Sequence, residues 1–135
     1  MPFSYQRTIH FSDTDAAGVV FFANFLALCH EAYEESLAAA GIELNTFFAD
    51  HGVVVPIAKS EASYLRPLRA GDKVRVTLAP ESLSENSYAL NCEVVKLGAA
   101  QKTVARVRTE HVCIDSKTRE RLPLPPALAT WLSAG

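Results

Sequence analysis

The stretch Phe11 to Glu35, FSDTDAAGVVFFANFLALCHEAYEE, constrains this chain most, because two acids within three letters run straight into a long apolar segment. From Asn24 onward Phe25, Leu28, Cys29, Ala32, Ser36 and Leu37 recur at the i, i+3, i+4 spacing of one helix face. Asn24 reads as the N-cap and Gly41 as the residue just past the C-terminus. Asp13 and Asp15 follow a short strand-like run, Arg7 to Phe11, and precede Ala16, Ala17 and Gly18, which turn the chain tightly. An acid loop thus leads onto the positive end of a buried helix, where unpaired N–H groups favour a developing negative charge.

The rest of the sequence supplies a cover for that helix. Val53 to Tyr64 reads as a strand with Pro56 near its start, suited to an edge or a bulge and ending at Arg66-Pro67. Lys73 to Leu78 alternates, with Val74, Val76 and Leu78 on one face. The period returns from Tyr88, with Leu90, Cys92 and Val94 inward, and again over Thr103 to Ile114, the longest strand candidate. A helical turn is expected around Asn45 to Asp50 and a short last helix over Ala127 to Leu132. Short turns between consecutive strands imply antiparallel pairing, so the expected fold is α+β: about five strands in one curved sheet wrapped around one long helix. A helix this apolar needs such a wrapping.

At 135 residues the chain is expected to form a single domain, residues 1–135, with one core. A net charge of -2 gives no general case for nucleic acid or a membrane surface as partner. Three unclustered cysteines, Cys29, Cys92 and Cys113, argue against a disulfide framework and a zinc site and favour a reducing, cytoplasmic setting. The start carries no secretory pattern, and the longest uncharged run, Ala16 to Cys29, is too short to span a bilayer.

The order of elements resembles the hotdog fold, and Asp13-Thr14-Asp15-Ala16-Ala17-Gly18-Val19-Val20-Phe21 is similar to the D-x-D-x-x-G-V/I-V-Y signature of the 4-hydroxybenzoyl-CoA thioesterase family. Together with His30-Glu31-Ala32-Tyr33-Glu34, His111-Val112-Cys113-Ile114 and Pro123-Leu124-Pro125, that stretch most resembles the cyanobacterial branch acting on 1,4-dihydroxy-2-naphthoyl-CoA in phylloquinone (vitamin K1) synthesis. The resemblance implies an acyl-CoA thioester hydrolase with Asp15 as its catalytic carboxylate, acting as general base or as nucleophile. It implies an oxyanion site at the backbone N–H groups of Phe22 and Ala23, no metal and no cofactor. Hotdog relatives pair edge to edge with shared sites, so a homo-oligomer, dimer or tetramer, is expected. His30 matches a helix acid that contacts the substrate phenol in the aryl relative, and Phe21, Phe22, Phe25 and Tyr64 offer apolar surface for an aromatic acyl group.

Two departures from the family stand out. The loop histidine of many bacterial relatives is replaced by Phe22, and the basic turn that holds CoA phosphates in the aryl relative is Ser84-Glu85-Asn86 here. Arg66, Arg69, Lys102, Arg106 and Arg108 are the other cations available for that task. Asp13 reads as structural, through an Asx-turn, and Glu34 and Glu35 as a solvated stripe, with Glu31 a weaker catalytic alternative. His10 and His111 read as ordinary strand residues, and Ser60 and Ser63 as polar pocket groups near the inner face of the sheet, with Ser63 a candidate substrate contact. Other functions compatible with the residues are a generic aryl- or fatty-acyl-CoA thioesterase, a magnesium-dependent phosphotransferase built on Asp13-x-Asp15, and a non-catalytic acyl-binding module.

Overall fold

The computed structural model describes residues 2–134. Five strands form an antiparallel sheet in the order β1-β4-β5-β6-β3: β1 (Phe3–Thr8), β3 (Ile57–Tyr64), β4 (Lys73–Ser84), β5 (Ser87–Lys96) and β6 (Lys102–Val112). A two-stranded ribbon pairs β2 (Val53–Val54) with β7 (Ile114–Asp115). The long helix α1 (Phe22–Ala39) packs on the sheet, a short α2 (Leu44–Phe47) follows it, and α3 (Pro126–Ala134) closes one end. This is the expected hotdog arrangement. All pairings in the main sheet are antiparallel, which excludes the parallel α/β frame of a D-x-D phosphotransferase.

The helix face read from the sequence is the one that is buried, with Phe25, Leu28, Cys29, Ala32, Ser36 and Leu37 all inside and Tyr33 added. Opposite them lie Val74, Val76 and Leu78 of β4 and Leu90, Cys92 and Val94 of β5. Ala27, Glu35 and Ala38 stay exposed, so the sheet covers one side of α1 rather than encircling it. Part of the remaining side is shielded by α3, where the buried Trp131 donates its indole N–H to Ser36 Oγ at 2.9 Å.

Several boundaries differ from expectation for local reasons. The first strand is Phe3–Thr8, not Arg7 to Phe11, and Phe11–Asp13 is a turn of 3-10 helix. The half-buried positions of β1 include Phe3, Tyr5 and Arg7, and two polar-tipped side chains among these hide the alternation. Helix α1 starts at Phe22 with Phe21 as an N-cap that offers no side-chain bond, and Asn24 lies inside the first turn. Val55-Pro56 splits the expected second strand into β2 and β3, and a register shift between Ile57 and Lys59 marks the anticipated irregularity. Strand β4, of 12 residues, exceeds the 11 of β6 and is the longest. It runs on through Pro80, which pairs with Leu90 of β5 and lies two residues past Phe3↔Leu78, the last described pair of β1 and β4.

The C-terminus of α1 is a Schellman motif. Gly41, at φ +84°, follows the cap Ala40, its N–H donates to Ala38 O, and Ile42 N–H donates to Leu37 O, both at 3.0 Å. A Cβ at Gly41 meets nothing within 4 Å, so only backbone conformation opposes substitution. Gly41→Ala is expected to lower stability by about 1 kcal/mol in urea titration, and Gly41→Asn by less, because asparagine tolerates the left-handed region. Equal stability of all three proteins would contradict this account.

Candidate functional site

The loop entering α1 is fastened by Asp13. Arg7 grips both of its carboxylate oxygens at 2.8 Å, and the backbone N–H of His10 donates to Oδ2 at 2.7 Å. Its carbonyl accepts from Asn24 Nδ2 at 2.9 Å and from Phe21 N–H at 3.1 Å. Asp13 is therefore structural, as expected, but through an arginine and a capping contact rather than an Asx-turn. Arg7 also donates from Nε to Glu31 at 2.7 Å, and Tyr5 O–H donates to the same oxygen at 2.9 Å. This engages Glu31 in a structural network with Arg7 and Tyr5. The arginine beside Asp13 holds that carboxyl below its ordinary range, while burial, followed by the bond to Glu31, pushes the Tyr5 hydroxyl up to about 12.

Asp15 stands one step beyond this anchor and is exposed. It is Asp15 that makes the Asx-turn, its Oδ1 accepting from Ala17 N–H at 2.8 Å. The turn closes through Gly18 N–H to Asp15 O and Asp15 N–H to Val19 O, with Gly18 at φ +78°. Oδ2 has no hydrogen-bond partner among the described residues, and the carboxylate borders a shallow depression formed with Phe11, Gly18 and Ala70. The chain returns at Val20 and enters α1, whose first N–H groups, those of Phe22 and Ala23, engage no acceptor among the described residues. One free carboxylate oxygen and two unspent backbone donors thus lie at the two ends of one short loop.

The other candidate residues are divided among different hollows. Phe25 and Tyr64 meet edge to face, centroids 5.4 Å apart, and with Phe22 and Arg66 they line an open groove at the start of α1. His30 lies deeper, its Nδ1 2.6 Å from Glu34 Oε2, on the wall of a more enclosed cavity of about 260 Å³ between α1 and the sheet. Ser63 is not on this side. It pairs with Arg106 across β3 and β6 and borders a hollow with Glu61, Asn91 and Arg108 on the outer face. Because strand side chains alternate, Ser63 and Tyr64 cannot both face the helix, so the substrate-contact expectation for Ser63 is withdrawn. Its neighbour on the inner face is Ser60, which lines the more enclosed cavity.

His111 and Thr109, missed as site residues, line that same cavity. Only their place on the inward side of β6 pointed to them. Of the five candidate phosphate anchors, Arg108 is committed to Glu81, Asn91 and Glu110, and Arg106 to Glu93. Arg66, Arg69 and Lys102 form no ion pair among the described residues, and Arg69 Nη1 comes 3.8 Å from where a Cβ on Gly18 would lie, beside the Asp15 turn. No cluster of three or more His, Cys, Asp or Glu among the described residues is placed to hold a metal, and no described helix is long and apolar enough to cross a membrane.

Residues 9–132 match the description of the thioesterase-like superfamily. The chain belongs to that family. It is 44% identical over 130 residues to the 1,4-dihydroxy-2-naphthoyl-CoA hydrolase of Thermosynechococcus vestitus, covering 96% of this chain and 88% of that one. It is 47% identical over 128 residues to the hydrolase of the same name from Microcystis aeruginosa, covering 95% and 91%. Among solved structures, the 1,4-dihydroxy-2-naphthoyl-CoA thioesterase of Synechocystis superposes with a TM-score of 0.93 at 32% identity, covering 98% of this chain and 96% of that one. Family membership thus joins the signature read from the sequence to the loop that carries Asp15.

Acid sensitivity follows from the buried side of this region. Burial, reinforced by the nearby His30, pushes the His111 imidazole down to about 4 from its ordinary 6.5. An unfolded chain therefore binds a proton that the folded chain refuses, so this contribution is complete above about pH 6.5 and falls by roughly 3 kcal/mol toward pH 4. Asp13, with its lowered pKa, adds stability above the ordinary carboxylate range that is lost at still lower pH. The thermal midpoint is expected to fall between pH 7 and 4.5, and His111→Phe to flatten that slope. A wild-type midpoint unchanged over this interval would refute the assignment.

Proposed function

We propose that this chain hydrolyses 1,4-dihydroxy-2-naphthoyl-CoA to 1,4-dihydroxy-2-naphthoate and free CoA, the thioesterase step of phylloquinone synthesis. The observation that carries the reading is the identity of 44 to 47% over nearly the whole chain to hydrolases of that name. The loop geometry supports the chemistry. Asp15 offers an unpaired carboxylate oxygen to activate water or to attack the thioester carbon and form an anhydride. Phe22 and Ala23 offer N–H donors at a helix N-terminus for the oxyanion, each worth about 3 kcal/mol in comparable sites. The groove of Phe22, Phe25, Tyr64 and Arg66 receives the ester beside those donors, and Arg69 and Lys102 take the CoA phosphates.

Within one chain the Asp15 depression and the Phe22 groove are separate, and both are rimmed by exposed apolar side chains, Phe11 at 85% and Phe22 at 60%. Strand β3, at the sheet edge, has the backbone groups of one side unpaired. Association of two copies along β3, as dimer or tetramer, satisfies that edge and brings the loop of one copy to the face of the next. The three free cysteines, all buried, suit a cytoplasmic setting.

Release of free thiol from a panel of naphthoyl, hydroxybenzoyl, phenylacetyl and straight-chain CoA esters, with chelator present, tests the reading. The dihydroxynaphthoyl ester is expected to lead in kcat/KM. Asp15→Asn should cut kcat by at least about 10²-fold while the protein still binds the ester, since the amide keeps the turn but loses the charge. Comparable rates on every ester would leave a generic thioesterase, and an Asp15→Asn protein of full activity would move the chemistry elsewhere. Single turnover in ¹⁸O-water tests for the anhydride: label in the Asp15 carboxylate shows that an anhydride formed and was opened by water at the Asp15 carbon, whereas label in the first product fits direct attack of water or opening at the naphthoyl carbon.

A further inference from the structure

The partly open cavity between α1 and the sheet contains polar groups that the hydrolytic chemistry does not use. Its walls are largely apolar, with Leu26, Leu90 and Ile57 among them, and its volume of about 260 Å³ suits a ring system rather than a complete CoA ester. On its floor Ser60 of β3 and Thr109 of β6 are directly paired across the strands. His30 on α1 borders the same space.

Behind Thr109 stands His111, only 1% exposed and stacked on Tyr88 at 4.9 Å with planes 6° apart. Its Nε2 lies 2.8 Å from Thr109 Oγ1, whereas its Nδ1 is buried with no partner. The imidazole is neutral at pH 7, so one nitrogen carries hydrogen. A hydrogen on Nδ1 would be an orphaned buried donor, while a bare lone pair there costs less. The hydrogen therefore resides on Nε2 and is donated to Thr109 Oγ1. That leaves the threonine hydroxyl as a donor with no acceptor among the described residues, and Ser60, exposed at the rim of the cavity, has a hydroxyl that no described residue engages.

We infer that Ser60 and Thr109, with His111 as positioning residue behind Thr109, form the recognition site for a ring hydroxyl of the acyl group, making the cavity selective for hydroxylated over unsubstituted aromatic rings. This rests on the proposed hydrolysis of an aromatic acyl-CoA and adds which residues choose the ring. Thr109 donates to the ring oxygen, Ser60 accepts from the ring hydroxyl, and the apolar walls enclose the remaining carbons. An unsubstituted ring displaces water from both hydroxyls and offers them no partner in exchange, which penalises it.

The test compares kcat/KM for 1,4-dihydroxy-2-naphthoyl-CoA and 2-naphthoyl-CoA, assayed anaerobically so that the hydroquinone survives. In the wild type the ratio should favour the hydroxylated ester, and in Thr109→Val it should fall by about 10 to 100-fold. Valine keeps the branched shape suited to a strand, and Thr109→Ser, which restores the hydroxyl, should recover most of the ratio. Ser60→Ala and His111→Phe should each reduce the ratio. General damage would lower both rates and leave the ratio in place. A wild type that prefers the dihydroxy ester, with a Thr109→Val protein that keeps the full preference, overturns this inference alone. A wild type with equal rates on both esters, or none on either, overturns the proposed substrate together with it.

Discussion

Arg7 is the residue on which the working end of this molecule depends. It leaves β1 pointing toward α1, spans Asp13 with two bonds and reaches Glu31 with two more, so one guanidinium joins strand, loop and helix. A flexible loop carrying two acids would repel itself and sample many conformations. Neutralising one acid with a half-buried arginine fixes the loop and leaves the other acid as its free charge. The division of labour between Asp13 and Asp15 is thus electrostatic: the first is spent on structure so that the second can be presented to solvent and substrate.

The sheet and helix then separate two environments along α1. At the N-terminus the chain is open, with exposed aromatics, unspent N–H groups and an unpaired sheet edge nearby. One to three turns further on, around Ala27, His30 and Tyr33, the helix covers a more enclosed space over β5 and β6. A bound ester with its carbonyl at the first place and its ring in the second would lie along the helix, with CoA outside. Low exposure around His111 explains both its depressed basicity and its value as a fixed hydrogen-bond donor, since a charged or rotating imidazole there would lose its direction.

Much of this was readable in advance. The 3.6-residue period of α1, the two-residue period of β4, β5 and β6 and the turn glycine at Gly41 are local signals, and each appears where the residues placed it. The acid pair and its following Gly18 marked the loop. Elsewhere the local signal misled. Asn24 has the chemistry of an N-cap, yet its amide is drawn to the Asp13 carbonyl because the folded-back loop brings that acceptor within reach. Tyr5 and Arg7 break the apolar alternation of β1 because they serve a polar network rather than the core.

The sequence alone determined the elements, the family signature and the identity of the acid beside the helix, because periodicity, turn chemistry and residue type are properties of neighbours along the chain. Tertiary structure decided which acid is free, which face each serine takes and that Thr109 and His111 join His30 around one cavity. Those outcomes depend on register between distant strands, Ser60 opposite Thr109 and Ser63 opposite Arg106, and on burial that exists only once α1 lies on the sheet. A one-residue shift in that register would turn each of these side chains to the other face, which is why composition and spacing could not assign them.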